Sequence, residues 1–305
     1  MHTAASVVGE LRAAGELWEP APGLVALRGE TLRLFRALAE MIRLVARGEA
    51  AEEWHVPPAL TFDTLARADY FASFPQWLTA AAHLDASERE LERVAAAAQP
   101  AAAAVSALRP TATALQPAIC YHVYAALAGT QLDEPVFCAA AGTCWRHEAG
   151  RFAPLERGWA FTMQEVVCVG CAADVAAFRT RGIDAAETLA RRLGLQPVLA
   201  QATDPFFAAS TRGRALLQRL RALKHELLLP LGDGRTLAAA SFNDHAQFFG
   251  DAFAIRDGSG APAASGCVAF GIERWVLAVL VEHGTDPRNW PVQPLPEPTA
   301  ARLAS

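Results

Sequence analysis

The sequence predicts an α+β fold with a mainly antiparallel sheet, in which helices flank the sheet and a helical region precedes it. Segments typical of strands and of helices do not alternate strictly along the chain, which favours this class over a doubly wound parallel sheet. The segments "KHELLLPL" and "TLAAASFN" flank the turn "GDGR", a pattern that predicts an antiparallel hairpin. With 305 residues the chain is also long enough to bury a sizeable core.

The first hundred residues consist mainly of predicted helices. Apolar residues at helical spacing predict a helix over 30–47, which Gly48 ends. Prolines and aromatic residues in "HVPPALTFDTLARADYFASFPQWL" indicate an irregular or strand-containing connection. Ser87 and Glu90 have the spacing of a capping box and predict a further helix, closed by Pro100.

From about Cys120 the pattern changes to short strands, as in "ICYHVYAAL", "EPVFCAAAGTCWRHE" and "WAFTMQEVVCVGC". A helix follows at "DAAETLARRLGL", with Asp184 and Glu187 as capping residues and Gly194 as its end. Another helix is predicted over 211–223. The apolar strand "CVAFG" then leads into the helix "IERWVLAVLVEHG".

Composition and charge narrow the class of protein. The chain is 52% hydrophobic and 19% charged, as globular proteins are, and its net charge of −5 argues against broad binding to nucleic acid. It has no run of eighteen apolar residues and no signal-peptide block, so we expect a cytoplasmic protein without a membrane segment. Six cysteines are too few for a disulfide scaffold, which leaves core residues, metal ligands or reactive thiols.

Residues 144–171, "CWRHEAGRFAPLERGWAFTMQEVVCVGC", hold three of these cysteines and allow several interpretations. A structural zinc site needs two close ligand pairs, and here only Cys168 and Cys171 have that spacing. A redox Cys-x-x-Cys pair lies at the start of a helix after a strand, a description that this pair fits loosely. Simple packing in the core is the third possibility.

The arginines and carboxylates of the same stretch indicate a nucleotide site. Arg146 and Glu148, a loop, and then Arg157, Phe161 and Glu165 describe two strands with cations on one side. A guanidinium suits a phosphate because it keeps its charge and donates in a plane, and an aromatic ring can stack on a purine. Solvated pairs on surface strands give a similar pattern, so these residues alone do not decide.

The block "GCVAFGIERWVLAVL" strengthens the nucleotide interpretation. Gly266 and Gly271 permit close backbone approach at a strand end, and Arg274 enters the first turn of the next helix, where it can reach an anion. With the stretch around Arg146, this block resembles motifs 2 and 3 of class II aminoacyl-tRNA synthetases. Phrases such as "AGTCWRHE", "SFNDH" and "FFG" are similar to those of the zinc-containing seryl enzymes. They are more similar still to those of truncated relatives, the amino acid:[carrier protein] ligases, over about residues 115–285.

The resemblance implies a class II synthetase catalytic domain and an AMP-forming ligase with a catalytic Zn²⁺. In the family Cys, Glu and Cys bind this ion, and they fall by motif on Cys120, Glu165 and Cys267. Three protein ligands leave a fourth position open, which the family uses for the substrate's amino group. The remaining cysteines are then core residues: Cys138, Cys144, Cys168 and Cys171. Four histidines are kept off the metal site: His122, His147, His225 and His245.

The resemblance also implies an ATP site, with Arg146, Glu148 and Arg274 as the catalytic residues. It assigns Arg146 and Glu148 to the phosphate and adenine side, Phe161 to stacking on adenine, and Arg274 to the terminal phosphates. Arg157 is a second phosphate contact. The amino acid carboxylate attacks the α-phosphorus to give an aminoacyl-adenylate, and Mg²⁺ helps the pyrophosphate leave.

The substrate pocket and the Mg²⁺ site are less clearly specified. The family activates glycine or alanine, and Lys224, Ser241 and Asn243 are candidates for the pocket; the alternative is strand residues that satisfy their neighbours. Class II synthetases commonly carry a metal-binding glutamate before the strand serine, whereas this chain has alanines at 238–240. Mg²⁺ is then held either by the ATP phosphates or by Glu226.

The family transfers the aminoacyl group to the phosphopantetheine thiol of a small acidic carrier protein, and residues 205–224 offer a surface for it. A helical projection puts leucines on one arc, with arginines at its edges that could steer an acidic partner. The leucines are Leu216, Leu217, Leu220 and Leu223, and the arginines are Arg212, Arg214, Arg219 and Arg221. The alternative is an amphipathic helix whose leucines pack on the core.

We therefore expect a helical N-terminal region over 1–110, a catalytic domain over 111–290 with the carrier-docking helix near 205–224, and a tail over 291–305. A homodimer is expected as in the family. The short, acidic leader is unlike the tRNA-binding arm of seryl-tRNA synthetases, so no tRNA partner is expected. The alternatives are a relic enzyme that charges RNA and a non-catalytic zinc-binding subunit, against which the phosphate-binding arginines argue.

Overall fold

The computed structural model describes residues 2–148, 150–202, 204 and 223–292. Ten α-helices are present among these residues, and their bounds are α1 Ala4–Ala13, α2 Gly29–Arg47, α3 Phe62–Arg67, α4 Tyr70–Ser73, α5 Glu88–Ala95, α6 Pro100–Ser106, α7 Cys120–Ala126, α8 Ala172–Arg192, α9 Phe248–Phe253 and α10 Ile272–His283. Short 3₁₀ turns lie at Pro75–Trp77 and Pro287–Asn289. No helix in this part of the chain is both long and apolar enough to cross a bilayer.

The strands form one large sheet and two small ones. Their bounds are β1 Leu17–Ala21, β2 Leu24–Leu27, β3 Glu52–Trp54, β4 Ala59–Thr61, β5 Ala80–Leu84, β6 Leu108–Leu115, β7 Val136–Trp145, β8 Ala160–Gly170, β9 Val198–Gln201, β10 Lys224–Pro230, β11 Thr236–Ala246 and β12 Ala264–Gly271. The large sheet has seven strands in the order β3-β7-β8-β12-β11-β10-β9. Only the β3–β7 pair is parallel among these neighbours, which confirms the mainly antiparallel α+β fold.

The two faces of the large sheet pack against different layers. Helices α2, α8 and α10 cover one face, where Leu34, Phe178 and Trp275 are fully buried. Helices α7 and α9 contact the other face, with Tyr124 and Phe253 in a second core. Strand residues alternate between these two cores, because successive side chains of a strand point to opposite faces.

Residues 1–110 contain strands as well as helices. Strands β1 and β2 form a hairpin, β4, β6 and β5 form a three-stranded sheet, and β3 joins the edge of the large sheet. The connection at 55–78, predicted to be irregular, contains β4, two short helices and a 3₁₀ turn. The helix predicted over 30–47 is confirmed as α2.

Several local predictions differ from the structure. The segment that starts at Cys120 is the helix α7 and not a strand, because the backbone N–H groups of Ile119 and Cys120 donate to the Glu165 carboxylate, which satisfies donors that a helix start leaves open. Pro100 begins α6 and does not close the preceding helix, which ends at Ala95; proline is well suited to a first helical position.

The predictions of helix-capping residues are confirmed only in part. Ser87 is the N-cap of α5, but its side chain makes no capping hydrogen bond. Asp184 and Glu187 lie inside α8, since this helix begins at Ala172, where Cys171 and Asp174 cap it reciprocally. Gly194 follows the helix with a φ of +71°, as a C-terminal glycine does. The helix predicted over 211–223 falls outside the described residues apart from residue 223.

The predicted strands that build the site are confirmed. The hairpin of β10 and β11 pairs Lys224 with Asn243 and turns through the "GDGR" segment. Strand β12 runs directly into α10, as predicted for the C-terminal block. These two motifs and β8 contribute to the lining of one cavity.

Candidate active site

A cavity of about 450 Å³ lies over the face of the large sheet that carries α7. The structure places every described residue of the predicted site in its lining: Cys120, Arg146, Glu148, Arg157, Phe161, Glu165, Lys224, Ser241, Asn243, Cys267 and Arg274. These residues come from four strands, two helices and the loop between β7 and β8. One concave site therefore collects residues that are up to 154 positions apart, from Cys120 to Arg274.

Three buried side chains form a cluster that could hold a metal ion at one end of the cavity. The sulfur atoms of Cys120 and Cys267 and a carboxylate oxygen of Glu165 all lie within 4.8 Å of one another. Strand pairing explains the position of two of them, because Ala269 of β12 is opposite Glu165 of β8, so that Cys267 is a diagonal neighbour on the same face. Ligand atoms around a tetrahedral Zn²⁺ lie about 3.6–3.8 Å apart, so a small contraction suffices and the donor set fits this ion.

Glu165 accepts two backbone hydrogen bonds. Its Oε2 accepts from the backbone N–H groups of Ile119 and Cys120, each at 2.7 Å, at the start of α7. Burial raises its pKa to about 8, and the nearby Cys267 thiolate adds to the shift. A cation at this position would favour the charged carboxylate and oppose both effects.

Cys267 is surrounded by donors that favour its thiolate. The S–H of Cys120 donates to it, Asn243 Nδ2 donates at 3.2 Å, and His245 Nε2 lies 3.9 Å away. These donors hold the pKa of Cys267 well below its ordinary value although burial opposes them. Tyr124 Oη in turn lies 3.1 Å from His245 Nδ1. The sequence analysis kept His245 off the metal site, and its proximity to Cys267 became visible only in the fold.

A cluster of arginines occupies the other end of the cavity. Arg274 opens α10 and donates from Nε to the Glu156 carbonyl at 2.9 Å and from Nη1 to the Ala238 carbonyl at 2.7 Å. Burial lowers its pKa, and the positive charges of Arg146 and Arg157 lower it further. Cations that repel one another in a buried site provide a place for an anion of high charge.

Arg146 is fixed between two aromatic rings. Its guanidinium carbon lies 5.1 Å from the centroid of Trp77 and 5.4 Å from that of Phe161, which is within the range of cation–π attraction. Its Nε donates to the Pro117 carbonyl at 2.9 Å. Trp77 was missed by the sequence analysis, although its aromatic-rich, proline-containing segment was recognised as unusual.

Other charged groups of the cavity are paired. Glu148 accepts from Arg157, and Glu273 accepts from the Thr162 backbone N–H at 2.8 Å. The hairpin of β1 and β2 supports the loop between β7 and β8. The carbonyl of Gly23 in this hairpin accepts from the backbone N–H of Trp159 in the loop at 2.8 Å. Gly23 has a φ of +77°, and a Cβ there would lie 2.7 Å from that nitrogen, so only glycine suits the position.

Lys224 lies in the cavity wall in an ion-pair network. Its Nζ is 2.6 Å from Asp204 Oδ1 and 3.2 Å from Glu226 Oε1. Burial lowers its pKa, but the two carboxylates outweigh this effect and leave the pKa above its ordinary value. Ser241 Oγ accepts from Asn243 Nδ2 at 3.3 Å, so both strand residues are already hydrogen-bonded beside the metal ligand.

Several residues that the sequence analysis singled out lie outside the cavity lining or outside the described residues. Cys138, Cys144 and Cys168 are buried, in agreement with their assignment to the core, whereas Cys171 is exposed and caps α8, which corrects that assignment for this residue. The four arginines predicted to dock a carrier protein lie outside the described residues. They are Arg212, Arg214, Arg219 and Arg221.

Comparisons with known proteins show which sequences and folds this chain is similar to. No protein-family model matches the sequence. The chain is 36% identical over 250 residues to amino acid–[acyl-carrier-protein] ligase 1 of Bradyrhizobium diazoefficiens, which covers 81% of this chain and 76% of that protein. Ligase 2 of the same organism is 35% identical over 268 residues, covering 85% and 79%. The type-2 serine–tRNA ligase of Methanopyrus kandleri is 29% identical over 199 residues, covering 60% and 37%.

Solved structures establish the fold. The seryl-tRNA synthetase of M. kandleri, in complex with A. aeolicus tRNASec, superposes with a TM-score of 0.83 at 24% identity. The match covers 93% of this chain and 58% of that chain, so this protein spans little more than half of that synthetase. Prolyl-tRNA synthetase of Giardia lamblia matches with a TM-score of 0.69 at 14% identity, over 92% and 54% of the two chains. The fold is that of class II aminoacyl-tRNA synthetases, and the extent and identity of the sequence matches show that the chain belongs to the amino acid–[acyl-carrier-protein] ligase family.

Proposed function

We propose that this protein activates glycine or alanine with ATP as an aminoacyl-adenylate and transfers the aminoacyl group to the phosphopantetheine thiol of an acidic carrier protein. One observation carries the proposal: a single cavity holds the ligand set of Cys120, Glu165 and Cys267 together with the arginine cluster. A zinc ion held by this donor set could bind an amino group, and buried cations could bind a triphosphate. Adenylation requires the amino acid and ATP in one site.

The metal end of the cavity supports a small amino acid. Zn²⁺ bound there would supply a Lewis acid that binds the neutral amino group of the substrate and so selects α-amino acids. The rings of Tyr121, His245 and Phe249 line the same cavity and form apolar and aromatic walls for a substrate side chain. Ser241 and Asn243 present polar atoms at the same end, where they can orient the substrate.

The arginine end supports the adenylation step. The carboxylate of the amino acid attacks the α-phosphorus of ATP and pyrophosphate leaves, so the protein has to position two anions and neutralise charge. Arg146 is the contact for the reacting α-phosphate, with Phe161 as the surface for adenine stacking. Arg274 and Arg157 bind the terminal phosphates. Binding of ATP by these arginines would also relieve the mutual repulsion that lowers the pKa of Arg274.

The position of Mg²⁺ is part of the proposal. The alanines at 238–240 offer no carboxylate, and the Ala238 carbonyl already accepts from Arg274. Glu226 is paired with Lys224, whose charge competes with a cation. We therefore favour Mg²⁺ held mainly by the ATP phosphates, a mode of binding that this small ion commonly uses.

The test is amino-acid-dependent exchange of labelled pyrophosphate into ATP, measured over the twenty amino acids with zinc-loaded and chelator-treated protein. We expect exchange with glycine or alanine that is lost on chelation. Transfer is tested next, with phosphopantetheinylated carrier protein and tRNA as parallel acceptors and mass spectrometry as the readout. Exchange with no amino acid by folded, metal-loaded protein would contradict adenylation. Charging of tRNA in preference to a carrier would support the relic synthetase instead.

A further inference from the structure

The hydroxyl group of Tyr70 is a buried polar group for which the described part of the chain offers no hydrogen-bond partner. Tyr70 is 1% exposed, and its Oη has no hydrogen-bond partner among the described residues. Its side chain lines the active-site cavity. Because a buried hydroxyl without a partner destabilises a fold, such a group is expected to acquire its partner when the protein works.

The ring of Tyr70 contacts aromatic residues on two sides. Its ring lies edge-on to Tyr121, with centroids 6.0 Å apart, and Tyr121 directly follows the metal ligand Cys120. On the other side Phe74 lies 5.9 Å away and stacks on Trp77, the ring that covers Arg146. Ring contacts therefore connect Tyr70 both to the residue that follows Cys120 and to the ring that covers Arg146.

The surroundings of Tyr70 keep its hydroxyl protonated, so that it can donate a hydrogen bond. Burial raises its pKa well above the ordinary value, while the positive charge of Arg146 partly offsets this rise. The phenol thus keeps its proton at neutral pH and lies within the field of a cation that attracts anions. A protonated hydroxyl beside an arginine is suited to bind an oxyanion, as in the sites that stabilise charge during acyl and phosphoryl transfer.

We infer that Tyr70 is a further catalytic residue, whose hydroxyl donates a hydrogen bond to the carboxylate or phosphate oxygen that the reaction brings next to Arg146. This inference rests on the proposed adenylation. During that step one carboxylate oxygen bonds to the α-phosphorus and the bond to pyrophosphate breaks, so negative charge is redistributed among oxygen atoms in the cavity that Tyr70 lines. The proton of Tyr70 stays on its oxygen throughout.

The first experiment compares Tyr70→Phe with the unaltered protein. This change removes only the hydroxyl, so the ring contacts to Tyr121 and Phe74 are kept. We expect kcat/KM for pyrophosphate exchange to fall about 10- to 100-fold, as for loss of one hydrogen bond to a charged group. The melting temperature of the protein without ligands should stay the same or rise, because the unpartnered group is gone.

Tyr124→Phe is the matched control. It removes the same atom, but the hydroxyl of Tyr124 is already paired with His245 at 3.1 Å. Its loss leaves the histidine nitrogen without that partner, so the melting temperature should fall. Opposite changes in stability for the same chemical deletion would show that the hydroxyl of Tyr70 serves a ligand and not the fold.

Thermal shifts identify the ligand atom and separate this inference from the proposed function. The probes are ATP, glycine and a non-hydrolysable glycyl-sulfamoyl-adenosine, each added to both proteins. A smaller shift for Tyr70→Phe with ATP indicates a phosphate oxygen, and one with glycine or only with the analogue indicates the carboxylate. Equal shifts and equal exchange in both proteins would overturn the role of Tyr70 and leave adenylation intact. Absence of exchange and of every shift in the unaltered protein would overturn both.

Discussion

The side-chain amide of Asn243 donates a hydrogen bond to the sulfur of Cys267 across 3.2 Å, between paired residues of neighbouring strands. Since the amide faces a sulfur already favoured as thiolate, it stabilises the charge that a metal ligand must carry. Residues of this kind orient ligands and tune metal affinity although they do not touch the ion. Two proposed roles of Asn243 can thus be tested separately: it supports the proposed metal ligand Cys267, and it orients the substrate.

Replacing Asn243 by Ala should weaken metal binding about tenfold, within the range found for residues that support metal ligands. Cobalt substitution provides the measurement, because the thiolate-to-cobalt absorption reports on the sulfur directly and a competing chelator gives the affinity. Ser241→Ala is the control, since its hydroxyl accepts from the same amide without contacting sulfur. An unchanged cobalt spectrum and affinity in Asn243→Ala would show that the contact is incidental.

Removal of a ligand thiol should abolish metal binding. We expect Cys120→Ser and Cys267→Ser to lose more than about 90% of bound zinc, measured by elemental mass spectrometry, because only two protein ligands are left. Cys168→Ser and Cys171→Ser should retain it, as Cys168 is buried in the opposite core and Cys171 caps α8. Loss of zinc in the second pair of variants and not in the first would show that the Cys-x-x-Cys pair is the metal site.

Stability of the metal-free protein should depend on pH through Glu165. Its pKa is raised by burial from 4.5 in the unfolded chain to about 8 in the fold. The folded state therefore binds the proton more tightly, so the free energy of unfolding is highest below pH 4.5 for this group and falls as pH rises to about 8, by up to about 1.4 kcal/mol per pH unit.

Zinc should reverse this pH dependence, because it binds the carboxylate and displaces the proton. Its stabilisation of the fold is expected to grow between about pH 5 and 8, with proton release that calorimetry in buffers of different ionisation enthalpy can count. Glu165→Gln cannot titrate and serves as the control for the metal-free protein. The same slope of unfolding free energy against pH in that variant would assign the effect to another group.

The sequence predicted more of the site than of the N-terminal region, for physical reasons. The resemblance to class II synthetase motifs placed Glu165, Asn243 and Cys267 in one site, whereas strand periodicity alone shows which side chains of one strand share a face and not which strands are neighbours. Trp77 and Tyr70 belong to short helical segments whose sequence has no clear period. Their contact with Arg146 and Tyr121 depends on tertiary packing across more than 50 residues of chain, which no local pattern encodes.

Dependence on distant contacts also explains why the segment at Cys120 was predicted as a strand although it is a helix. A short apolar run is compatible with either a buried strand or a buried helix. Here the Glu165 carboxylate decides, because it accepts from two backbone N–H groups at the start of α7. The deciding partner is 45 residues away from Cys120 in sequence. It also belongs to the proposed metal-ligand set, so the helix start and the proposed metal site depend on the same carboxylate.

Trp77→Ala should reduce kcat/KM for pyrophosphate exchange about 5- to 30-fold, because the ring holds the Arg146 guanidinium in place by cation–π attraction. Trp77→Phe should recover part of the loss, as it keeps an aromatic face. Trp18→Ala is the control, since Trp18 is 66% exposed on the N-terminal hairpin. Exchange at the original rate in Trp77→Ala would mean that Phe161 and Pro117 suffice to position Arg146.

Two helical glycines should respond to alanine in opposite directions. Gly182 lies in the middle of α8 and faces β12, and a Cβ there would be 2.5 Å from Val268 Cγ2 in the core. Alanine favours a helix by up to about 1 kcal/mol over glycine, but overpacking costs about 1–3 kcal/mol, so Gly182→Ala should be destabilising on balance. Gly9 of α1 has no atom within 4 Å of such a Cβ, and Gly9→Ala should stabilise the fold. Urea unfolding of both variants measures the difference, and a stabilised Gly182→Ala would show that α8 can move away from the sheet.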